Sequence, residues 1–349
     1  TQPKEVAWFS KYDDNVVRFD RSNLLRYKPA QIGANLLDGI DTYESKDAQQ
    51  LENATAQSPA PLKPFLAAVR HFHTMGSGLK TPHFLTYRNN LNKILGTPYN
   101  QSNAWTLCAT KRNGCVYLDA RRTDDDIESM RNLHINQTRG SYAGRRFEKL
   151  STYPRTSESQ QMADHMVVNE EEEYCGIFSL TLGSTRLLVA AEIDCKDSAD
   201  TDQRYVELKT FRELVRDKDR YVFERFKLLA FWIQSYLVGI PKIVCAFRSD
   251  DFEIRKLQTF RTTEIPRFCR KYWDPKVCMA FAQQLLDWMY SHIEENKVYQ
   301  VTYVPRAHVV EMTELPGSDQ FLSDEDAVFT SPPVAIIRED DSTQSLKRF

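Results

Sequence analysis

The stretch Tyr174-Cys-Gly-Ile-Phe-Ser-Leu-Thr-Leu-Gly-Ser-Thr-Arg-Leu-Leu-Val-Ala-Ala-Glu-Ile-Asp194 decides the fold. It contains two apolar runs, Tyr174–Leu182 and Arg186–Asp194, and the Gly183-Ser184 pair between them is typical of a β-hairpin. After a polar connection, Tyr205-Val-Glu-Leu-Lys209 is a third strand-like run. We therefore predict a meander of three consecutive strands.

Charged side chains lie near the ends of the second and third runs. Side chains two residues apart on a strand point to the same face, so Glu192 lies beside Asp194. Glu207 and Lys209 repeat this arrangement on the next run. A single Glu-x-Lys strand is usually a solvent-facing salt-bridge pattern, but two adjacent apolar strands that both carry charged pairs are less expected of a solvated face. We predict that three carboxylates and one ammonium group converge.

This cluster predicts a metal site. One lysine cannot neutralise three carboxylates that lie close together. Oxygen-only ligation favours Mg²⁺ or Mn²⁺, and two such ions would clamp the attacking water and the leaving oxygen of a phosphoryl displacement. Lys209 would neutralise phosphate charge or orient the water. The order Asp, loop, Glu-x-Lys predicts a restriction-endonuclease-like (D/E)xK nuclease core.

The long apolar run Tyr221–Val238 predicts a buried helix. The apolar stripe of this helix comprises Phe223, Phe226, Leu229, Ile233 and Leu237. Gly239-Ile-Pro241 ends the helix, Lys242–Arg248 is then a strand, and Pro275–Glu294 is a second helix.

Gln234 lies in the middle of the first helix, and Lys227 lies seven residues earlier on the same stripe. A buried amide needs hydrogen-bond partners. One interpretation is a core glutamine that the backbone satisfies, and the other is a glutamine that reaches a phosphate or the attacking water. The spacing leaves both open.

The regions before this core carry simpler signals. Val6–Phe9 predicts a strand, Ala48–Pro64 a loop with a short helix, and Phe65–Gly78 a helix. Within residues 103–119, Lys111-Arg-Asn-Gly114 lies between two apolar runs and predicts a hairpin.

The composition is that of a folded protein with almost balanced charge. The 349 residues include 46 Lys and Arg, 48 Asp and Glu, and 41% hydrophobic residues, which excludes a disordered chain. The net charge of −2 argues against nucleic-acid binding by bulk electrostatics. Seven cysteines without CxxC spacing predict no zinc site, no disulfide framework and a reducing compartment. No apolar stretch reaches the roughly 18–20 residues of a membrane span, so we expect no membrane association.

At these residues the sequence resembles the DXO/RAI family of eukaryotic decapping nucleases, which act in 5′-end RNA quality control. The resemblance covers residues 4–305 and keeps the order of the family's motifs. The matching segments are Glu5–Ser10, Leu25–Pro29, Tyr87-Arg88, Gly144–Glu148, Glu192–Asp194, Tyr205–Thr210, Lys227–Pro241 and Val277–Phe281.

The resemblance implies a single α+β domain over residues 1–305, made of two mixed, twisted β-sheets flanked by helices, with the active site in a deep cleft between them. Carried over by position, the metal ligands are Glu148, Glu192, Asp194, Glu207 and the Leu208 carbonyl, with Glu192 and Asp194 also counted as catalytic. Lys209 and Gln234 would be catalytic residues that contact the scissile phosphate. Arg88 would hold phosphate oxygens at the pocket wall, and a structural ion pair is the alternative.

The resemblance implies metal-dependent hydrolysis of RNA 5′ ends in the nucleus, with the cytoplasm as a second location. The reactions remove incomplete, unmethylated or NAD-type caps and 5′ pyrophosphate, with 5′→3′ exoribonuclease activity. The implied enzyme is a monomer that binds RNA with a free, triphosphorylated or aberrantly capped 5′ end. The alternative is a partner that binds and stabilises a nuclear 5′→3′ exoribonuclease and has weak activity of its own. A DNA endonuclease is a weaker alternative, because it does not explain the matches outside the catalytic strands.

The chain departs from the family's pattern at three positions. Arg145 follows Gly144 where the family tends to be apolar or aromatic, Tyr87 replaces Trp, and Asn89 replaces Gly. None of these changes removes a metal ligand, but they bear on which 5′ ends the pocket prefers.

Two acidic segments lie outside the motifs. Glu170–Glu173 is interpreted as a solvated loop edge. Residues 306–349 are acidic and contain Pro and Ser, so we expect a surface-laid or mobile segment. Together with the site carboxylates they lower the net charge, which makes a near-neutral chain compatible with RNA that is recognised mainly at its 5′ end.

Overall fold

The structure is a computed structural model. It describes residues 2–12, 16–43, 62–76, 79–122, 124–132, 134–153, 168, 172–198, 204–323 and 326–329. In these parts of the chain the strands form two sheets, and helices pack against them.

The first sheet contains nine described strands and is mixed. Its spatial order is β15 (Val309–Leu315), β14 (Val298–Val304), β5 (Trp105–Arg112), β6 (Cys115–Arg121), β4 (Phe84–Tyr87), β9 (Thr185–Glu192), β8 (Glu173–Leu182), β1 (Lys4–Lys11) and β2 (Val17–Arg18). Strand β4 pairs in parallel with β6 and β9, whereas the other neighbours are antiparallel.

The second sheet contains six described strands and is also mixed. Its spatial order is β13 (Ile254–Arg261), β12 (Lys242–Arg248), β11 (Tyr205–Arg212), β10 (Cys195–Lys196), β3 (Arg26–Tyr27) and β7 (Thr152–Tyr153). Strands β11 and β12 are parallel, as are β10 and β3.

Helices follow the strands along the chain. They are α1 (Lys63–Thr74), α2 (Arg88–Gly96), α3 (Asp124–Arg131), α4 (Ile135–Leu150), α5 (Asp217–Val222), α6 (Leu228–Leu237), α7 (Ile265–Cys269) and α8 (Pro275–His292). The predicted α+β architecture of two mixed sheets flanked by helices is confirmed.

Both predicted hairpins are confirmed. Strands β8 and β9 meet at Gly183, which has a positive φ of 58°. Strands β5 and β6 meet at Asn113 and Gly114, with φ of 52° and 73°, and two consecutive residues with positive φ match the twist of an antiparallel pair.

Several other elements agree with their prediction to within a few residues. The predicted strand Val6–Phe9 lies inside β1, β12 has the predicted bounds, and α8 ends two residues before the predicted Glu294. Helix α1 begins at Lys63 and ends at Thr74 rather than at Gly78. Most of the predicted loop Ala48–Pro64 lies outside the described residues.

The predicted three-strand meander is wrong. Strand β9 lies between β8 and β4 in the first sheet, whereas β11 lies between β10 and β12 in the second. The chain leaves the first sheet after Glu192 and enters the second at Cys195. Alternating apolar residues define the faces of a strand but not its neighbours, so the pattern could not reveal this crossover.

The long helix carries a π-helical segment, Phe223–Lys227, between α5 and α6. Because a π turn contains an extra residue, it shifts the positions that face the core. Phe223 and Leu229 are buried as predicted, but Phe226 is 47% exposed and Lys227 is exposed as well. The predicted stripe is therefore wrong at these two positions. Gly239, with φ of 71°, follows the end of α6.

The segment after residue 305 is better integrated than predicted. Strand β15 pairs along its whole length with β14. Leu322, Val328 and Phe329 are buried in a cluster that also contains Tyr117. Backbone pairing and apolar burial therefore continue past residue 305, and the domain boundary at this residue stays a prediction. Residues 330–349 lie outside the described residues.

The largest core cluster joins the first sheet to helices α2, α6 and α8 and to the inner face of the second sheet. A separate cluster packs Ala143 and Phe147 of α4 against Leu208 and Val244 of the second sheet. All seven cysteines are buried as free thiols. No helix in the described ranges is both long and apolar enough to cross a bilayer.

Candidate active site

The predicted site residues meet where the two sheets diverge. Glu192 ends β9 in the first sheet, and Asp194 lies in the crossover to β10. Ile193, between them, is buried, and its N–H donates to the Tyr174 carbonyl oxygen at 2.9 Å. The crossover thus replaces the predicted meander as the reason that carboxylates of distant strands approach each other.

Glu207 of β11 is the centre of the inner half of the site. Its side chain is fully buried. One carboxylate oxygen, Oε1, accepts from Lys209 Nζ at 2.5 Å and from Gln234 Nε2 at 2.6 Å. The other oxygen, Oε2, accepts from Arg88 Nη1 at 3.3 Å. We call Glu207, Lys209, Gln234 and Arg88 the inner half.

These partners decide the charge of the inner half. Burial alone would raise the pKa of Glu207, but Lys209 and Arg88 outweigh it and hold this pKa below its usual value. Burial lowers the pKa of Lys209, yet Glu207 and Asp194 raise it above its usual value overall. Both groups are therefore ionised at neutral pH.

Local structure explains where Arg88 points. Helix α2 begins at Arg88 directly after β4, and Asn90 Nδ2 donates to Thr86 Oγ1 at 3.0 Å across this junction. Arg88 is 7% exposed and forms the ion pair with Glu207. The ion pair that was the alternative interpretation of Arg88 is therefore present. It orients the Arg88 guanidinium at the wall of the site.

Gln234 projects from α6 toward the second sheet. The Gln234 side-chain Nε2 donates to the Glu207 carboxylate and not to a backbone carbonyl. The interpretation that the backbone satisfies this amide is therefore wrong for its N–H group. The sequence placed Gln234 in an apolar helix but could not reveal its partner.

A polar cluster beneath the inner half joins the two sheets. Glu5 Oε1 of β1 accepts from the Tyr174 hydroxyl at 3.0 Å and from the Tyr205 hydroxyl at 2.8 Å. Arg21 Nη2 donates to Glu5 Oε2 at 2.7 Å. Tyr205 is two residues before Glu207 on the same face of β11, so this cluster helps to fix the strand that carries Glu207.

Glu148, Glu192 and Arg145 form the outer half of the site, which faces solvent. Arg145 Nη1 donates to Glu192 Oε1 at 3.1 Å and to Glu148 Oε2 at 3.4 Å. Side-chain exposure is 30% for Glu148 and 37% for Glu192, against 0% for Glu207. Burial, together with the Glu192 charge, raises the pKa of Glu148 to about 7, although Arg145 opposes this.

Helix α4 presents both Arg145 and Glu148. His134 caps its first turn. The His134 side-chain Nδ1 accepts from the Asn136 backbone N–H at 3.2 Å, and the His134 backbone N–H donates to Gln137 Oε1 at 2.9 Å. Ala143 and Phe147 pack this helix on the second sheet. Residues three apart on a helix are neighbours on its surface, which places Arg145 beside Glu148.

Asp194 connects the two halves. Its Oδ2 accepts from the Leu208 N–H at 2.6 Å, which ties the crossover to β11. Burial and then Glu207 raise the pKa of Asp194 well above its usual value, although Lys209 lowers it. The Leu208 side chain is buried away from the carboxylates, between Glu207 and Lys209 in sequence.

The outer half opens into a small cavity of about 80 Å³. Arg145, Glu148, Glu192 and Asp194 line it, together with Glu172 and Glu173. The described part of the acidic run Glu170–Glu173 therefore lies at the site as well as at a loop edge. The cavity is smaller than the deep cleft that the resemblance implies, and Arg145 is one of its lining residues. Two larger cavities, of about 380 and 810 Å³, are lined by none of the predicted site residues.

The donor chemistry of the site suits a hard divalent cation, but the donors are not arranged around one. Within the described ranges, no three His, Cys, Asp or Glu side chains form a ready metal-binding group. Arg145 and Lys209 hold the carboxylates in ion pairs instead. All candidate ligands are oxygen atoms, and burial, together with neighbouring carboxylates, raises the pKa values of Glu148 and Asp194.

Arg145 is the site residue that sequence reasoning missed as a partner of the carboxylates. The signal was present, since Arg145 and Glu148 have the i, i+3 spacing of helix neighbours. Its contact with Glu192 joins residues 47 positions apart and had no local signal.

The chain is similar over most of its length to known proteins. The family model described as "RAI1 like PD-(D/E)XK nuclease" matches residues 1–327. A decapping nuclease RAI1 of Emericella nidulans is 30% identical over 331 residues, which cover 91% of this chain and 89% of the relative. A decapping and exoribonuclease protein of Xenopus laevis is 32% identical over 309 residues, which cover 84% and 75%.

Solved structures share the fold. The crystal structure of Scheffersomyces stipitis Rai1 has a TM-score of 0.80 at 24% identity and covers 91% of this chain and 92% of that one. The Candida albicans Rai1 structure, a complex with pU5 and Mn²⁺, has a TM-score of 0.79 at 23% identity, with 91% and 90% covered.

Proposed function

Because this chain belongs to the RAI1-like PD-(D/E)XK nuclease family, we propose that it is a decapping nuclease, a metal-dependent hydrolase of RNA 5′ ends. Its reactions would remove incomplete, unmethylated or NAD-type caps and 5′ pyrophosphate. Both relatives described above are named for decapping, and the Xenopus protein is also named for exoribonuclease activity. We therefore include 5′→3′ exoribonuclease activity in the proposal.

The observation that carries the proposal is the buried Glu207 with its three donors. Glu207 contacts Lys209, Gln234 and Arg88. It therefore holds close together two cations and an amide that can donate hydrogen bonds to a phosphate. Lys209 keeps its proton, because Glu207 and Asp194 raise its pKa over the opposing effect of burial. Such fixed donors stabilise charge on a phosphate without reorganisation.

The burial gradient supports recognition of a chain end. Glu207 and Arg88 are buried, whereas Glu148 and Glu192 are about one-third exposed. A substrate that enters from the outer half would meet the buried Glu207 and Arg88 at the inner half. This gradient fits a 5′ terminus better than a continuous strand that must leave on the far side.

Glu148, Glu192, Asp194, Glu207 and the Leu208 carbonyl would hold the divalent ions, Mg²⁺ or Mn²⁺ and two in number. When bound, these ions would activate water and neutralise phosphate charge. Arg88 and Gln234 would orient the phosphate, and Lys209 would supply an ammonium donor to it. The hydrogen bond from the Leu208 N–H to Asp194 holds the crossover next to β11, so that Asp194 stays close to Glu207.

The test is hydrolysis of one 5′-labelled RNA, prepared with triphosphate, unmethylated-cap, NAD-cap and monophosphate ends, in Mg²⁺ or Mn²⁺. We expect metal-dependent product release that is lost when Glu192→Ala is combined with Asp194→Ala. Glu311→Ala combined with Glu314→Ala, on the edge strand β15, is the matched control and should keep full activity. Activity that persists in the first double variant, with circular dichroism unchanged, would disprove the site.

We further propose a nuclear monomer, with the cytoplasm as the alternative location, and the binding of a 5′→3′ exoribonuclease as the alternative function. Size-exclusion chromatography with light scattering tests the monomer, and imaging of a tagged chain tests the location. Co-purification with the exoribonuclease by the Glu192→Ala, Asp194→Ala variant would separate binding from catalysis.

A further inference from the structure

Arg145 is the cation of the outer half of the site. A single nitrogen, Nη1, donates to Glu192 Oε1 at 3.1 Å and to Glu148 Oε2 at 3.4 Å. Both acceptors are candidate metal ligands. The guanidinium therefore occupies the place between two oxygens that a shared divalent ion would need.

The charge at this place is permanent. A guanidinium does not lose its proton in proteins, so Arg145 cannot withdraw by neutralisation. A divalent ion that approaches Glu148 and Glu192 is repelled by Arg145 and also loses two acceptors that Arg145 already uses. The ion can bind both carboxylates only if the side chain moves.

The solvent exposure of Arg145 allows this movement. Its side chain is 31% exposed, so it already borders solvent. The long side chain can therefore leave the carboxylates by rotamer changes while the helix stays in place.

We propose that Arg145 is a built-in counterion that neutralises Glu148 and Glu192 in the metal-free protein and must be displaced when a divalent ion binds. Arg145 is thus a positioning residue that sets the metal affinity of the outer half. The inference rests on the proposed function, because it takes Glu148 and Glu192 as metal ligands.

The experiment measures metal binding and stability rather than turnover. Isothermal titration calorimetry with MnCl₂ alone is carried out on the full chain and on Arg145→Met. We expect the Kd for Mn²⁺ to fall by about tenfold or more in the variant, because the competing charge is gone. In EDTA the same variant should have a lower Tm than wild type, because two neighbouring carboxylates lose their shared cation.

Three further variants make the test specific. Arg145→Lys keeps the charge and should bind Mn²⁺ with nearly the wild-type Kd. Arg139→Met removes an exposed arginine from the same helix that has no ion pair among the described residues, and should change neither quantity. If Arg145→Met does not fold, Arg145→Gln keeps a donor for the carboxylates without the charge and takes its place.

The outcomes separate this inference from the function on which it rests. A merely structural ion pair would give Arg145→Met a lower Tm with an unchanged or higher Kd for Mn²⁺, and that result would overturn the counterion role alone. If the wild-type chain bound no Mn²⁺, both the counterion role and the proposed metal-dependent function would be overturned.

Discussion

The inner and outer halves of the site hold their carboxylates in opposite ways. In the inner half, Glu207 is fully buried and has three donors from β11, α6 and α2. In the outer half, Glu148 and Glu192 are only about one-third exposed and share one guanidinium, that of Arg145. The inner carboxylate has a lowered pKa, whereas the pKa of Glu148 is raised to about 7 by burial and by Glu192.

The difference shows that one cluster contains two electrostatic designs. The inner half is already neutralised, so its donors are fixed before substrate arrives, as electrostatic preorganisation requires. The outer half has more negative than positive charge and gains from a further cation. The protein therefore contributes the phosphate-binding donors itself and leaves the positive charge of the outer half to be completed by an ion.

The largest expected difference between the halves is in stability. Glu207→Gln would leave Lys209 and Arg88 without their carboxylate in a buried place and should cost about 3–5 kcal/mol in the free energy of unfolding. Glu148→Gln relieves repulsion with Glu192, so stability in EDTA should stay within about 0.5 kcal/mol of wild type or rise. Chemical denaturation of both variants measures this. Equal destabilisation would remove the distinction between the halves.

A second expected effect is confined to the inner half. Gln234→Met keeps the volume of the side chain but removes the donor to Glu207 at 2.6 Å. A hydrogen bond to a charged group contributes roughly 1.5–3 kcal/mol, so the rate of 5′-end hydrolysis should fall by about tenfold or more while the Kd for Mn²⁺ changes little. A raised Kd for Mn²⁺ with an unchanged hydrolysis rate at saturating Mn²⁺ would instead assign Gln234 to the metal site.

The third effect is a pH dependence that belongs to the outer half. The pKa of Glu148 is raised from 4.5 to about 7 in the folded protein, so the folded state binds more protons between these values. In EDTA, stability should therefore fall as pH rises from about 4.5 through about 7. Glu207 has a lowered pKa, so its contribution is lost only below this window.

Thermal unfolding across this pH range, with EDTA or with Mn²⁺, checks the pH effect. Mn²⁺ binds deprotonated carboxylates and should remove the decline. Glu148→Gln should reduce the slope of the EDTA curve, and the slope that remains belongs to Asp194, whose pKa is also raised. A metal-free protein that became more stable from pH 5 to pH 7 would contradict the assignment.

The smallest effect concerns the cluster beneath the inner half. Glu5→Gln removes the charge that Arg21 contacts at 2.7 Å but keeps an acceptor for the Tyr174 and Tyr205 hydroxyls. We expect a loss of about 1 kcal/mol in stability and a modest fall in hydrolysis rate, since Tyr205 and Glu207 share a strand. Arg255→Gln, on the exposed strand β13, is the control and should change neither quantity. Loss of all activity would show that Glu5 acts on the chemistry directly.

Local sequence signals predicted much of this molecule. The apolar run of β12 and the Asn113-Gly114 turn of the β5–β6 hairpin both depend on neighbouring residues, and both elements were predicted from sequence. The charged pairs at Glu192, Asp194, Glu207 and Lys209 were also visible as strand-end patterns. The structure places all four in one cluster.

The remaining features depend on contacts between distant residues. Long-range pairing places β9 in the first sheet and β11 in the second, so the prediction of a meander was wrong. Phe226 lost its place in the apolar stripe because the π segment adds a residue to the turn, and no spacing rule announces this. The Glu207 contacts with Arg88 and Gln234 join residues 119 and 27 positions apart and could not be read locally.

The crossover between Glu192 and Cys195 has a consequence for the time course of folding. The inner half alone brings together Arg88 and Gln234, which are 146 positions apart. Arg88 follows β4 of the first sheet, whereas Glu207 lies on β11 of the second. Contacts of such sequence separation form slowly, because loop closure must come before they contribute. Secondary structure should therefore recover before catalysis in a refolding experiment, and the return of hydrolysis should mark the moment when the two sheets dock.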